Sequence, residues 1–293
     1  MSSSAPLTPP IAAVLCGGGA RGALEVGFYR ALVDLGIRID YLVGSSVGAL
    51  NGAAIAAGLS PEALVEIWER IERKDIASPN WRGWLRPWRC PGAYTLEPLR
   101  RLVPRVLPVS YFERLVIPLT IVTTDLVTGQ PAYWERSGDL VEPLIASMSL
   151  PGVFPPVELG GRPHVDGAIT NNLPVDRACA LGAQTTVSIL CTCCPAPLVP
   201  PRHALGVLKR SFLVSLDYLS NDNLERYRSR GMRVHIVQPR FAVDVGLLDF
   251  RYTRELIKVG YEQTLEYFGR TDHGDTACLT AALEGAASVP RCE

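Results

Sequence analysis

The sequence predicts an α/β fold: a three-layer sandwich in which a central, mostly parallel sheet is covered by helices on both faces. Short apolar runs alternate with helical patterns along the chain, which is typical of a parallel or mixed sheet with crossover helices. Glycine-rich turns join the first two strand-like runs to the helices that follow them. With 293 residues and 47% hydrophobic content, the chain can bury one full core.

The predicted strands are short runs of apolar and β-branched residues, and one pair forms a hairpin that turns at Gly160-Gly161. They cover residues 11–15, 40–43, 118–124, 130–134, 157–165, 185–190 and 234–237. The predicted helices have apolar residues at helical spacing, and one begins with Ser60 as its N-cap and Pro61 in its first turn. They cover residues 23–35, 49–57, 61–73, 140–148, 204–228 and 253–268.

Domain organisation follows from the same pattern. Residues 8–270 are predicted to form a single domain, because no internal repeat or linker divides them. Residues 271–293 are weakly patterned and are predicted to form a C-terminal tail.

Composition argues against two classes of protein. The chain has 29 basic and 29 acidic residues and no net charge, whereas a nucleic-acid-binding surface normally leaves a basic excess. Its one cysteine cluster is Cys191, Cys193 and Cys194, with no second group of cysteines or histidines at ligand spacing. We therefore expect no nucleic-acid partner and no metal, and we interpret the cluster as buried thiols in a reducing compartment.

No membrane-spanning segment is predicted. The first residues lack the basic start of a signal peptide, which favours a cytoplasmic protein. Residues 41–61 carry no charge and are long enough to resemble a membrane span. They are rich in glycine, serine and alanine and include Asn51, so a buried strand and helix explain them better.

A G-x-S-x-G pentapeptide follows the second predicted strand and precedes a helix. It consists of Gly44, Ser45, Ser46, Val47 and Gly48. A serine at such a turn is held in a strained backbone at a helix N-terminus, where unpaired N–H groups favour developing negative charge. Ser46 is therefore a candidate nucleophile. Taken alone, the pentapeptide is equally compatible with a turn that has no chemistry.

Three consecutive glycines, Gly17, Gly18 and Gly19, lie between the first predicted strand and its helix, followed by Arg21 and Gly22. Successive N–H groups without side chains can bind the oxyanion of a tetrahedral intermediate. A nucleotide phosphate loop is the rival interpretation. The sequence, however, lacks the Lys-Ser/Thr pair that follows the glycines of such loops, and it lacks a convincing ribose-binding acid one strand later.

A third segment contains Asp166, Gly167 and Ala168 after the predicted hairpin. By itself, Asp-Gly is ordinarily a turn.

In this order, the three segments resemble the motifs of the patatin-like phospholipase family: a G-G-G-x-R-G loop, a G-x-S-x-G elbow and a D-G-A or D-G-G motif. The resemblance is firm from Ile11 to Pro174 and weak in the rest of the chain. It implies a patatin-like fold and a Ser–Asp dyad in place of a Ser–His–Asp triad.

The roles that this resemblance implies are specific. Ser46 would be the nucleophile and Asp166 the base that accepts its proton. The N–H groups of Gly17, Gly18 and Gly19 would stabilise the oxyanion, and Arg21 would hold that loop by hydrogen bonds. A solvated arginine at a helix start is the alternative for Arg21. An aspartate has a pKa near ~3.9 in water, so partial desolvation is needed to make it a competent base.

Four histidines test the dyad against a triad: His164, His203, His235 and His273. The order of residues in α/β-hydrolases would require a late histidine, His235 or His273. His235 lies in a strand-like run and His273 in a polar segment. His164 is two residues before Asp166 and on the same side of a strand, so it is the histidine to mutate as a control.

A segment rich in tryptophan and arginine is a candidate membrane contact or lid. Trp81, Trp84 and Trp88 lie there with Arg86, and the segment contains no acid. Indoles sit at headgroup depth and guanidinium groups bind phosphate. The alternative is a loop whose tryptophans pack on the domain.

The predicted function is a cofactor-independent serine hydrolase of fatty-acyl esters. The resemblance implies phospholipid, lysophospholipid or related acyl-ester substrates and peripheral membrane contact. A catalytically silent lipid-binding protein and an acyltransferase remain the alternatives, and the sequence leaves the oligomeric state open.

Overall fold

An eight-stranded mixed sheet forms the centre of the protein in the computed structural model, which describes residues 7–85, 90–191, 201–228, 231–241, 243 and 245–272. Within these ranges the strands are β1 (Ile11–Leu15), β2 (Tyr41–Ser45), β3 (Ser78–Pro79), β4 (Tyr94–Thr95), β5 (Leu119–Asp125), β6 (Pro131–Glu135), β7 (Val157–Leu159), β8 (Arg162–Asp166), β9 (Thr185–Ile189) and β10 (Arg233–Val237). β3 and β4 form a separate two-stranded sheet.

The order across the main sheet is β10–β9–β1–β2–β5–β8–β7, and β6 pairs with β5 outside this path. β10, β9, β1, β2 and β5 are parallel. β6 and β8 are antiparallel to β5, and β7 is antiparallel to β8. The predicted mostly parallel sheet is confirmed.

Two strands meet end to end along β5. β2 pairs with the first half of β5, as far as Ser45 opposite Val122. β8 pairs with the second half, with Asp166 opposite Thr123. β6 occupies the other edge of β5, since it also pairs with Thr123. β2 and β8 therefore share one edge and run towards each other, so that their carboxyl ends meet.

The helices in the same ranges are α1 (Ala23–Asp34), α2 (Val47–Ala56), α3 (Pro61–Arg70), α4 (Arg73–Ile76), α5 (Trp81–Trp84), α6 (Glu97–Val106), α7 (Val141–Ser147), α8 (Ala168–Asn171), α9 (Val175–Ala180), α10 (Ala204–Arg228) and α11 (Thr253–Asp272). The parallel crossovers from β2 to β5, through α2, and from β9 to β10, through α10, run in opposite directions across the sheet. Right-handed crossovers therefore place α2 and α10 on opposite faces, and α9 packs against α10. α1, α3, α7 and α11 join the α2 side, and α8 and α10 join the α9 side. Helices thus flank the sheet, as predicted.

The central strands are buried on both faces. Every residue of β1, β5 and β9 is buried. This explains why these strands are uninterrupted runs of apolar and β-branched residues and do not alternate between apolar and polar residues.

Element ends differ from the sequence predictions at several points. β2 continues past the predicted end at Val43, because Gly44 pairs with β1 and β5 and Ser45 pairs with β5. The helix predicted over residues 61–73 is divided: α3 ends at Arg70, Ile71 adopts an extended conformation, and α4 follows. α11 continues to Asp272, two residues past the predicted domain boundary.

α6 lies in a stretch without a predicted element, because two prolines conceal it. Pro98 occupies the first turn, where no N–H is needed, whereas Pro104 lies inside the helix. The helix persists because one face is buried, at Leu99, Leu102 and Val103 among others. Burial of this face offsets the hydrogen bond that Pro104 cannot make.

Candidate active site

The end-to-end meeting of β2 and β8 brings a serine and an aspartate together from positions 120 residues apart. Ser46 follows the last residue of β2, and Asp166 is the last residue of β8. The Ser46 hydroxyl donates a hydrogen bond of 2.7 Å to Asp166 Oδ2. The sheet thus places a hydroxyl and a proton acceptor in direct contact.

Ser46 has a strained backbone. Its φ of 55° and ψ of −128° place a residue with a side chain in a region that such residues rarely adopt. Its carbonyl accepts from the N–H of Ala49 at 2.9 Å, so α2 begins directly after the turn. The strain accompanies a sharp strand-to-helix turn of the kind that exposes a nucleophile.

Motif glycines lie where two backbones cross. A Cβ on Gly48 would be 2.5 Å from the carbonyl carbon and oxygen of Leu15. A Cβ on Gly167 would be 2.2 Å from the carbonyl oxygen of Val122. Gly44 is similarly close to the backbone of α2. A side chain at any of these glycines would push apart the backbone segments that bring Ser46 and Asp166 together.

Asp166 is 3% exposed, and its carboxylate has two partners. Oδ2 accepts from Ser46, and Oδ1 accepts from the N–H of Ala168 at 2.9 Å. Burial raises the pKa of the Asp166 carboxyl to about 7, against these two hydrogen bonds, which lower it. A carboxylate with this pKa can accept a proton near neutral pH.

Ser147 is a polar contact of the site that the sequence did not reveal. Its hydroxyl accepts from the N–H of Ser46 at 2.9 Å and donates to the carbonyl of Val122 at 2.6 Å. It therefore ties the strained serine to the point on β5 where β2 ends. Its signal in the sequence is the Ser-x-x-x-Pro-Gly phrase that Ser147 begins and that reaches Pro151 and Gly152.

If the chain hydrolyses esters as the sequence predicts, replacing Ser147 with alanine should lower kcat about tenfold with little change in KM, because Ser46 would lose the contact that fixes its turn. The buried N–H and carbonyl left unpaired should also lower the free energy of unfolding by about 1–3 kcal/mol. Steady-state kinetics on a soluble ester and urea unfolding measure the two effects.

Ser149→Ala is the matched control for that variant. The Ser149 hydroxyl donates to the Ile145 carbonyl at 2.8 Å and has no bond to Ser46. Its variant should keep the wild-type kcat. Equal kcat values in the two variants would contradict a positioning role for Ser147.

A side-chain hydrogen bond fixes the start of the glycine loop, which consists of Gly17, Gly18 and Gly19. The N–H of Gly17 donates to Asn172 Oδ1 at 2.9 Å, so this group is already occupied. The N–H groups of Gly18 and Gly19 have no partner among the residues that the structure describes. The sequence predicts all three glycines as oxyanion donors, and the N–H of Gly17 is the one that donates to Asn172 in this structure.

Arg21 lies inside the protein, 3% exposed. Its Nε donates to the carbonyl of Gly18 at 3.4 Å. The carbonyl of the neighbouring Gly22 accepts from Asn51 Nδ2 at 3.0 Å. The end of the loop is therefore fixed by two buried polar side chains.

A group of buried ionisable side chains lies behind this loop. The thiols of Cys16 and Cys191 and the carboxyl of Glu25 lie within 4.8 Å of one another. A hydrogen bond from Cys191 lowers the pKa of Cys16, and burial raises the pKa of Glu25 well above its ordinary value. These three residues have the spacing to hold a metal ion, but the nearby Arg21 cation opposes a second positive charge there. Cys193 and Cys194 lie outside the described residues.

An apolar cavity of about 180 Å³ opens beside Ser46 and Asp166. At one end it is lined by the glycine loop, Ser46, Val47 and Asp166. Elsewhere its walls are aliphatic and aromatic side chains from several helices and loops, among them Leu50, Trp68, Ile71, Leu99, Phe154, Leu213, Leu216, Leu247 and Phe250. Such a lining suits an acyl chain.

Residues 13–179 match the sequence model of the family described as patatin-like phospholipase. The chain belongs to the patatin-like phospholipase family. The matched range contains the glycine loop, the elbow and Asp166.

Curated relatives of this patatin-like chain share the same region. An uncharacterised NTE family protein of Mycobacterium tuberculosis is 34% identical over 186 residues, which cover 62% of this chain and 49% of the relative. Human patatin-like phospholipase domain-containing protein 6 is 33% identical over 181 residues, covering 61% of this chain and 13% of that protein. The chain therefore spans half or less of the length of these relatives.

Solved structures show the same patatin-like fold at low sequence identity. VipD from Legionella pneumophila has a TM-score of 0.50 and 14% identity, covering 90% of this chain and 68% of VipD. Full-length ExoU of Pseudomonas aeruginosa, in complex with SpcU, has a TM-score of 0.50 and 15% identity, covering 92% of this chain and 54% of ExoU.

Two histidines of the patatin-like chain make structural contacts. His164 Nδ1 lies 3.0 Å from the hydroxyl of Thr123, which also accepts from the Trp134 indole at 2.8 Å. His235 packs on the rings of Tyr267 and Phe268. Burial lowers the pKa of both histidines. His273 lies outside the described residues.

The tryptophan segment is described in part. α5 is a single helical turn that begins at Trp81, which is 67% exposed. The side chain of Trp84 and all of Arg86 and Trp88 lie outside the described residues. Within the described ranges, no helix has both the length and the apolarity needed to cross a bilayer.

Proposed function

We propose that the chain is a serine lipid acyl hydrolase that cleaves fatty-acyl esters of phospholipids, lysophospholipids or related lipids. The observation that carries this proposal is the 2.7 Å hydrogen bond from Ser46 to Asp166 at one end of an apolar cavity. Family membership supports lipid acyl hydrolysis as the class of reaction.

In the first half of the reaction, Ser46 Oγ attacks the acyl carbonyl carbon and its proton passes to Asp166 Oδ2. Desolvation of Asp166 supports this step, since it makes the carboxylate a stronger base. As the tetrahedral intermediate collapses, Asp166 returns the proton to the departing alkoxide. The lipid alcohol leaves, and the acyl group remains on Ser46.

The oxyanion of the intermediate lies against backbone donors. The N–H groups of Gly18 and Gly19 are candidates because they are unpaired among the described residues. The N–H of Val47, first in α2 and next to the nucleophile, is a third, since the first N–H groups of a helix have no intrahelical partner. Arg21 would keep Gly18 in place by its bond to the carbonyl.

In the second half, a water molecule attacks the acyl-enzyme and Asp166 accepts its proton. Collapse of this second intermediate returns the proton to Ser46 Oγ and releases the fatty acid. The residues of the dyad complete both halves without a cofactor.

Covalent labelling with a fluorophosphonate, together with fatty-acid release from phospholipid vesicles, tests the proposal. Wild-type protein should be labelled and should release fatty acid, whereas Ser46→Ala should do neither. His164→Ala is the control: its ring bonds Thr123 and not Ser46, so labelling per folded molecule should persist.

Labelling of Ser46→Ala at another residue would contradict the assignment of the nucleophile. A wild-type protein that binds vesicles without labelling or release would be a lipid-binding protein. Transfer of the acyl group to an added alcohol at the expense of fatty acid would identify an acyltransferase.

A further inference from the structure

One face of α10 forms part of the cavity. Leu213 and Leu216 line it, and Leu224 is buried further along the helix. The Ser220 hydroxyl lies 3.5 Å from Asn172 Nδ2, whose residue also holds the glycine loop. This inner face fixes α10 beside the dyad.

The opposite face of α10 is exposed and largely apolar. Successive helical residues are rotated by about 100°, which places one set of positions opposite Leu213 and Leu216. We call this set the outer face: Val207, Leu208, Ser211, Val214, Ser215, Tyr218 and Leu219. Its apolar members are between 41% and 71% exposed. A soluble helix normally presents charged residues on such a face, and this one presents none over about three turns.

The charges beside the first half of the outer face have one sign, whereas the acids Asp217 and Asp222 occur beside its last turn. Arg202 and Arg210 are the basic residues there, and no acid occurs between residues 202 and 216. Lys209, four residues before Leu213, belongs to the inner face of the helix. Basic side chains beside an apolar helix face are typical of helices that lie in the surface of an anionic membrane.

We propose that the outer face of α10 docks on the surface of an anionic phospholipid bilayer. The proposal rests on the proposed function, because a membrane surface matters only if the cavity accepts a lipid acyl chain. In this arrangement α10 alone would lie between the bilayer and the cavity. The apolar side chains would enter the interface, Tyr218 would lie at headgroup depth, and the basic residues would contact phosphate.

Flotation with vesicles tests this docking surface. The full chain is mixed with vesicles of phosphatidylcholine and phosphatidylglycerol, in wild-type and Ser46→Ala forms, so that binding is measured with and without turnover. Leu208→Ser, Val214→Ser and Tyr218→Ser combined should reduce partitioning about tenfold or more, since three apolar side chains no longer enter the interface. Hydrolysis of a soluble short-chain ester should not change.

The matched control combines Val116→Ser, Leu126→Ser and Val127→Ser, three exposed apolar residues away from α10. It should partition like the wild type. A second variant, Arg202→Glu with Arg210→Glu, keeps the apolar face and should lose the preference for phosphatidylglycerol. Circular dichroism verifies that each variant is folded.

Wild-type partitioning by both outer-face variants would overturn the proposal. So would a wild-type dimer that the serine variant converts to a monomer in sedimentation velocity, because the face would then bind a second copy. If vesicle binding depends on α10 but no form hydrolyses an ester, the proposed function fails and the docking surface stands.

Discussion

Replacing Asp166 with asparagine is expected to lower kcat/KM for a soluble acyl ester about 10³-fold, within the range typical of a lost general base. The amide keeps the shape of the carboxyl and can still contact Ser46, but it cannot accept the serine proton. Fluorophosphonate labelling should slow by a similar factor. Because the variant is nearly isosteric, its circular dichroism spectrum should match that of the wild type.

The protonation of Asp166 determines how kcat/KM should change with pH. Burial raises the pKa of Asp166 to about 7, and in the proposed mechanism the basic form is the active one. Wild-type kcat/KM should therefore rise with pH, with a midpoint near that value, and fall as the carboxyl becomes protonated below it. Asp166→Asn should lack this midpoint, and His164→Ala should keep it. A midpoint that persists in the asparagine variant would assign the titration to another group.

The raised pKa of Asp166 also makes the free energy of unfolding depend on pH. Between the unfolded pKa of about 3.9 and the folded value, the native state holds a proton that the unfolded chain has released. The free energy of unfolding of the wild type should therefore decrease as pH rises through this window. Asp166→Asn removes the buried charge, so it should be the more stable form at pH values above 7. Urea unfolding across pH measures the difference.

Gly48→Ala is expected to have the largest effect on folding. Its Cβ would lie 2.5 Å from the backbone carbonyl of Leu15, and β1 is held in place by hydrogen bonds to β2 and β9 on its two sides. Neither backbone can move without breaking the sheet or the start of α2. We expect a loss of about 3 kcal/mol or more in the free energy of unfolding.

Gly52→Ala in the same helix is the matched control. A Cβ there would first meet a side-chain carbon of Leu119, at 3.1 Å, and a side chain can rotate. Alanine is also a better helix former than glycine by about 1 kcal/mol, so the change in unfolding free energy should stay within that amount. Similar urea midpoints for the two variants would contradict the role assigned to the Gly48 crossing.

Local patterns predicted much of this fold. The apolar runs of β1, β5 and β9 and the three glycine-containing motifs are readable because each is set by neighbouring residues. The pairing of β8 with β5 is not local, and no residue in β8 specifies that its carboxyl end must meet that of β2. The sequence suggested Ser46 and Asp166, but the register that joins them required the structure.

Side chains that position the backbone of a site residue are difficult to predict from sequence. Ser147 and Asn172 bind the N–H groups of Ser46 and Gly17, and neither belongs to a recognisable catalytic pattern. α6 was concealed for a different reason, since Pro98 and Pro104 signal a break that burial of Leu99 and Val103 overrides. Tertiary contacts decided all three cases.

Ser46 and Asp166 are anchored in the sheet with unequal firmness. Ser46 follows a strand inside the sheet, paired on both sides. Asp166 arrives on a short hairpin, β7–β8, that joins β5 through three residue pairs at the end of the sheet order. Short peripheral hairpins open at lower free energy than central strands. Undocking of this hairpin would break the hydrogen bond between Ser46 and Asp166, and amide hydrogen exchange in β8 would report that opening.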